Sequence, residues 1–221
     1  MRRLAGGLIA VEGVDGAGKS VQAVLLAGSI GAELTREPGG TALGEAVRRL
    51  VLGEEVDAPS ARAEALLMLA ARAEHVARVV RPALERSLWV VTDRFSASTL
   101  AYQGFGRGLD LEELAALDRF ATGGLEPALN VLIDVPETVA SARRLPGGDR
   151  LDRESAAFHA RVRAGFASLA ASDPERWAIV DGAASVDAVS RRVLAVVGER
   201  LGLTPTEEAP AVGSLVLPNE R

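Results

Sequence analysis

Short apolar runs alternate with longer stretches in which apolar residues recur every three or four positions, and the alternation continues from Leu8 to Leu201. The runs Leu8–Val11, Ala32–Thr35, Leu88–Thr92, Asn130–Val135 and Trp177–Val180 read as strands. Helical spacing predicts helices over Lys19–Ile30, Leu43–Leu52, Ser60–Glu85, Leu111–Thr122, Pro136–Arg144, Arg153–Ala171 and Val186–Leu201. Pro82 falls inside the third of these and is expected to kink or end it. Strands that take turns with helices in this way predict an α/β fold, a parallel sheet flanked by helices.

Two segments break the pattern. Leu145-Pro146-Gly147-Gly148-Asp149 is rich in helix breakers and flanked by arginines, as expected of a hinged flap. From Thr204 onward the chain is rich in Pro, Glu and Gly with no period, and is expected to be disordered apart from a chance that Leu215-Val216-Leu217 docks. The organisation read from this is one domain over residues 1–203, a lid over about 144–153 and a tail over 204–221.

Composition removes several chemistries. The 221 residues contain no cysteine, so there is no disulfide, thiolate metal site or thiol nucleophile, and two histidines make a His-based zinc site improbable. No stretch approaches membrane-spanning length and Met1–Gly7 lacks a signal-type apolar core, which sets the expectation of a cytoplasmic protein that engages no membrane. A net charge of −5 speaks against nucleic-acid binding; local clusters such as Arg143-Arg144 suit a small anionic ligand better.

The chemistry enters with the cations. Of the 25 basic residues only Lys19 is a lysine, and it lies in Gly13-Val14-Asp15-Gly16-Ala17-Gly18-Lys19-Ser20, which fits G-x-x-x-x-G-K-[ST] at every fixed position. A compact ammonium has been kept where a planar guanidinium would not fit between a glycine-rich turn and two phosphates. Strand, glycine-rich loop and helix follow in the required order. The amides of Gly13 to Ser20 are therefore expected to wrap the polyphosphate of ATP, with the Ser20 hydroxyl on Mg2+. ATPases, GTPases, nucleotide kinases and motor-type switches all remain open at this point, although a guanine-reading Asn-Lys-x-Asp is impossible with the sole lysine already used.

Further clusters narrow the choice. Thr35-Arg36-Glu37-Pro38-Gly39-Gly40-Thr41 follows the second strand, Asp93-Arg94-Phe95 ends the third, Ser98 to Gly104 reads STLAYQG, and Arg72 lies in Ala70-Ala71-Arg72-Ala73-Glu74-His75. Asp93, an acid after an apolar strand, has the Walker-B arrangement for magnesium, and Arg94 beside it is suited to a charge-assisted bond to a phosphate. In a helix, Thr99, Tyr102 and Gln103 would share one face.

Together these segments resemble the thymidylate kinase family over about Leu8 to Leu201. The resemblance implies a P-loop NTPase, a three-layer α/β/α fold with a five-stranded parallel sheet and a short lid, which phosphorylates dTMP from ATP and Mg2+ as a homodimer. It places Asp15 near the acceptor's 3′-hydroxyl, Arg36 and Glu37 in the acceptor site, Arg72 on base and phosphate, and Arg94 on the acceptor phosphate. Thr99 and Gln103 fall to the pyrimidine, and Tyr102 to the sugar, where a 2′-hydroxyl would collide. Met68 stands where the family usually has a base-stacking Phe, and a thioether covers a ring face less directionally. The lid's Arg144, Arg150 and Arg153 are the expected catalytic cations besides Lys19 and Arg94. His75 and His159 show no partner acid at useful spacing, and Glu12 receives no role. Two other readings stay open: a deoxynucleoside kinase with Glu37 as base, and a non-catalytic nucleotide switch.

Overall fold

The computed structural model describes residues 6–53, 56–144 and 148–205. Most of the sequence-predicted tail, with Leu215–Leu217, and the flap residues 145–147 lie outside the described residues. Five strands, β1 (Leu8–Glu12), β2 (Glu33–Arg36), β3 (Val90–Asp93), β4 (Leu129–Asp134) and β5 (Trp177–Asp181), form one sheet in the order β2-β3-β1-β4-β5. Every pairing is parallel.

Alternate residues of β1 serve opposite faces, as the pleat requires. Ile9 and Val11 join Leu26 and Val193 in one buried cluster, while Leu8 and Ala10 join Val76, Val80 and Phe95 in another. The helices are α1 (Lys19–Ile30), α2 (Ala42–Leu52), α3 (Ala61–His75), α4 (Arg81–Glu85), α5 (Ser96–Thr99), α6 (Leu111–Thr122), α7 (Glu137–Arg143), α8 (Ala156–Ser172) and α9 (Val186–Leu201). Among the described residues, no helix is long and apolar enough to cross a membrane.

The boundaries move from their expected places for local reasons. Ser155 caps α8 through the amide of Phe158, so the helix starts three residues after the predicted Arg153. The third strand starts at Val90, later than expected, because Ser87 is left-handed (φ 58°) and the Leu88 amide is tied back to Ala83. Pro82 does not stop its helix: a π-helical turn over Val76–Val80 joins α3 to α4, and the proline is the second residue of α4. A second π-helical stretch, Leu100–Gly106, continues α5 and buries Tyr102 and Gln103. Wide turns of this kind occur often at functional sites.

The registers set the level of the strand ends. Val11 and Arg36 both lie opposite Asp93, so β1, β2 and β3 finish together. The chain leaves β1 toward β2 on one side, whereas β3 leads on to β4 on the other. Open α/β sheets bind ligands in the crevice that this reversal leaves.

Candidate active site

The loop after β1 carries the P-loop residues. Gly16 and Gly18 adopt φ of 82° and 91°, a region closed to most side chains. At Gly16 a Cβ would also lie 2.3 Å from the carbonyl oxygen of Ala140 in α7, so only glycine lets the loop and that helix meet. Lys19 opens α1, and its Nζ donates to the Val14 carbonyl at 2.8 Å. Burial and the charge of Arg94 pull this ammonium down to about 8, against the carboxylates of Asp15 and Asp93.

Ser20 and Asp93 meet across the crevice, Ser20 Oγ donating to Asp93 Oδ2 at 2.5 Å. The other oxygen, Asp93 Oδ1, is buried and has no hydrogen-bond partner. A hydroxyl beside an orphaned carboxylate oxygen suits a magnesium ion that takes its remaining ligands from water and phosphate. Among the described residues there is no cluster of three or more metal-ligating side chains, so no protein cage competes with that arrangement.

Next to Asp93, Arg94 is left-handed (φ 72°), which turns its side chain back under the P-loop. Nη1 donates to the Gly13 carbonyl (3.0 Å) and to Ser98 Oγ (3.1 Å), while Nη2 donates to Asp15 Oδ1 and to the Tyr102 hydroxyl (3.1 Å). Tyr102 in turn donates to Asp15 Oδ2 at 2.6 Å, and the guanidinium lies 4.9 Å from its ring centre. Burial alone would raise the Asp15 carboxyl; the charges of Arg94 and Lys19 and the Tyr102 hydroxyl hold it well below the usual carboxylate range.

Beyond Arg94 opens a cavity whose wall includes Asp15, Glu37, Met68, Arg72, Arg94, Thr99, Tyr102 and Gln103. Eight of the expected acceptor residues thus converge. Arg36 does not line it: its guanidinium reaches Glu45 of α2 at 3.2 and 3.3 Å. Arg48 of α2 lines the cavity instead, along with Leu52, and neither was singled out by sequence.

Arg72 is 3% exposed and its donors are almost all committed. It donates to Glu37 (2.7 Å), Thr99 (2.8 Å), Asp118 (2.6 Å) and the Phe95 carbonyl (3.0 Å). Burial opposes that charge, but Glu37 and Asp118 raise the guanidinium above its usual value. Glu37 is pulled the other way: Arg72 and His75 outweigh burial and lower it. The expectation that His75 lacks a partner acid is corrected here. Its ring is fully buried, Nδ1 lies 2.8 Å from Glu37 Oε1, and Nε2 lies 2.6 Å from Thr35 Oγ1. A carboxylate only accepts, so Nδ1 carries the hydrogen. The acid is 38 residues away in the chain, beyond any local spacing rule. Gln103 Nε2 donates to the buried Glu64 at 2.8 Å. His159 is buried as well, with Nε2 3.3 Å from the Asp152 carbonyl.

The lid arginines divide. Arg144 closes α7, the helix against Gly16, and pairs with Glu137 while its Nη1 stays buried without a partner. Arg150 turns to the segment after α2, where Nη2 donates to the carbonyls of Gly53 (2.6 Å) and Val56 (2.7 Å). Arg153 continues the turn, its amide 3.3 Å from the Asp149 carbonyl. Leu151 and Asp149 reach the cavity wall.

Known proteins resemble this chain in sequence and in fold. The sequence profile of the family described as thymidylate kinase matches residues 11–193. A thymidylate kinase of Thermomicrobium roseum is 50% identical over 199 residues, 86% of this chain and 94% of that protein. One from a Synechococcus species is 45% identical over 207 residues, 91% of this chain and 99% of the other. The crystal structure of thymidylate kinase from Ehrlichia chaffeensis superposes with a TM-score of 0.74 at 30% identity, covering 87% of this chain and 99% of that one. With a nucleotide loop at one end of the crevice, an arginine-walled cavity at the other, and a profile match through both, the chain belongs to the thymidylate kinase family.

Proposed function

We propose that the chain transfers the γ-phosphoryl group of ATP to dTMP, giving ADP and dTDP, with both nucleotides bound in the crevice described above. One observation carries this reading: Asp15 belongs to the P-loop yet bonds to Arg94 and Tyr102 of the cavity, so donor loop and acceptor pocket share a wall. A protein that only holds a nucleotide as a switch needs no second anion pocket.

The acceptor is a phosphate monoester with a second pKa of about 6, so near neutral pH it is already a dianion. An acceptor oxygen forms the new bond to the γ-phosphorus as the β–γ bridging bond breaks, and ADP departs with that electron pair. No side chain has to remove a proton. The residues' task is to align two polyanions and offset their repulsion. Loop amides from Gly13 to Ser20 and the Lys19 ammonium hold the donor phosphates. Ser20 and Asp93 would hold magnesium, which would supply positive charge beside the donor phosphates. Arg94 takes the acceptor phosphate. Arg72 and Gln103 face the pyrimidine with Thr99 between them, Met68 covers the ring, and Tyr102 borders the sugar. Glu37 holds Arg72 and His75 in place, a buried double pairing that leaves it poorly suited to act as a base for a nucleoside 5′-hydroxyl. Of the lid cations, Arg144 is the one whose helix packs on the P-loop, and we assign it the transferring phosphoryl group; Arg150 and Arg153 support the lid.

The reading includes a homodimer working in the cytoplasm. Its support is an apolar face: Leu66 on α3 and Leu117 and Phe120 on α6 are 55%, 42% and 88% exposed, on helices packed against each other. Phe120→Asp is expected to shift the protein toward monomer in sedimentation velocity. The reaction itself is tested by following ADP release with ATP alone, with added dTMP and with added thymidine. Turnover that appears only with dTMP supports the reading; turnover with thymidine alone overturns it.

A further inference from the structure

Glu12, the last residue of β1, is fully buried, and burial pushes its carboxyl up to about 7 even though Ser98 and Arg94 favour the ionised form. The reaction as derived has no use for it. A proton acceptor is not required, and neither oxygen is free: Oε1 accepts the Phe95 amide at 2.8 Å and Oε2 accepts the Ser98 hydroxyl at 2.6 Å. Both of those groups lead to the same neighbour. Phe95 follows Arg94 in the chain, and Ser98 Oγ accepts from Arg94 Nη1 at 3.1 Å.

We infer that Glu12 is a positioning residue for Arg94, acting on its backbone through the Phe95 amide and on its guanidinium through the Ser98 hydroxyl. The need for such a device is visible in the backbone. Arg94 is one of two non-glycine residues with positive φ among the described residues, a conformation that persists only where its surroundings impose it. The peptide before it is pinned by the Arg94 amide on the Val11 carbonyl at 3.0 Å. The peptide after it is pinned at both ends, its N–H by Glu12 and its carbonyl by the Thr92 hydroxyl at 2.8 Å. Without Glu12 that peptide keeps only the Thr92 bond, which loosens the hold on the unusual φ of Arg94 and on the direction of its side chain.

The side-chain half depends on polarity. Because a carboxylate only accepts, it orients the Ser98 O–H toward itself and leaves a serine lone pair for Arg94. A glutamine that keeps the Phe95 bond through its oxygen would present N–H to Ser98, and the serine proton would have no acceptor. Glu12→Gln therefore preserves size and reverses the direction of the relay.

This inference rests on Arg94 being the acceptor-phosphate contact, and the test separates the two. Wild type and the variants Arg94→Ala, Glu12→Gln, Ser98→Ala and Glu12→Gln/Ser98→Ala are titrated calorimetrically with dTMP and with thymidine at pH 8, above the value to which burial lifts Glu12. Thymidine has the same base and sugar but no phosphate. Arg94→Ala is expected to erase most of the preference for dTMP. Glu12→Gln is expected to weaken dTMP about tenfold and to leave thymidine within about twofold, and Ser98→Ala to weaken dTMP about threefold in the same selective way. The double variant should be no weaker than Glu12→Gln alone, since both changes cut one relay. Equal loss of dTMP and thymidine, or unchanged dTMP binding in Glu12→Gln and Ser98→Ala while Arg94→Ala loses it, overturns the inference. If Arg94→Ala keeps the preference for dTMP, the acceptor assignment falls and takes the inference with it. Should Glu12→Gln fail to fold, Ser98→Ala decides.

Discussion

The two halves of the crevice are built on opposite principles. On the donor side the binding groups are mostly backbone amides in one run of eight residues, with Lys19 as the added cation, and its one hydrogen bond goes to a carbonyl of the same loop. On the acceptor side they are side chains from the residues that follow β2 and β3 and from α3, α5, the π-helical stretch after it and α6, and they bind one another before any substrate arrives. A loop of amides can be left waiting because water satisfies it at little cost. Buried guanidinium groups cannot, so each is matched by carboxylates that also fix its direction. The acceptor pocket is consequently part of the core's polar framework, whereas the donor loop is attached to it.

That contrast is open to attack by mutation. The largest effect is expected at Arg72→Ala, which strands Glu37 and Asp118 without their cation; about 3–5 kcal/mol of stability should go, read as an early urea midpoint. Lys19→Ala should instead leave the urea curve close to wild type while lowering kcat on the order of a thousandfold, and a large loss of stability there would erase the distinction between the halves. Tyr102→Phe removes one hydroxyl from the shared wall and is expected to raise the dTMP KM about tenfold with the ATP KM little changed. Smallest is Met68→Phe, expected to tighten dTMP about threefold in a direct titration by adding directional stacking in the cavity.

The same difference governs what could be read from the chain. Gly13 to Ser20 announce themselves because consecutive residues supply consecutive ligands. The strands were legible from their apolar runs, and the sheet's parallel character from the intervening helices. Arg72, Arg94, Tyr102 and Gln103 became recognisable through resemblance, but their partners did not. Asp118 lies 46 residues from Arg72, and Glu64 39 residues from Gln103, so only the folded chain brings them together. The pairing of Arg36 with Glu45 has a local reason. The arginine stands between Thr35 and Glu37, both of which reach His75, and the two-residue period of an extended chain sends it the other way. Glu12 gave no signal, because an acid ending a strand looks the same whether it faces solvent or holds a buried hydroxyl.

Asp15 leaves the two ligands in conversation. In the proposed reading a phosphate that claims Arg94 deprives the aspartate of its closest positive neighbour, and the next cation is Lys19, 3.9 Å away. The first guest to be seated thereby changes the welcome prepared for the second.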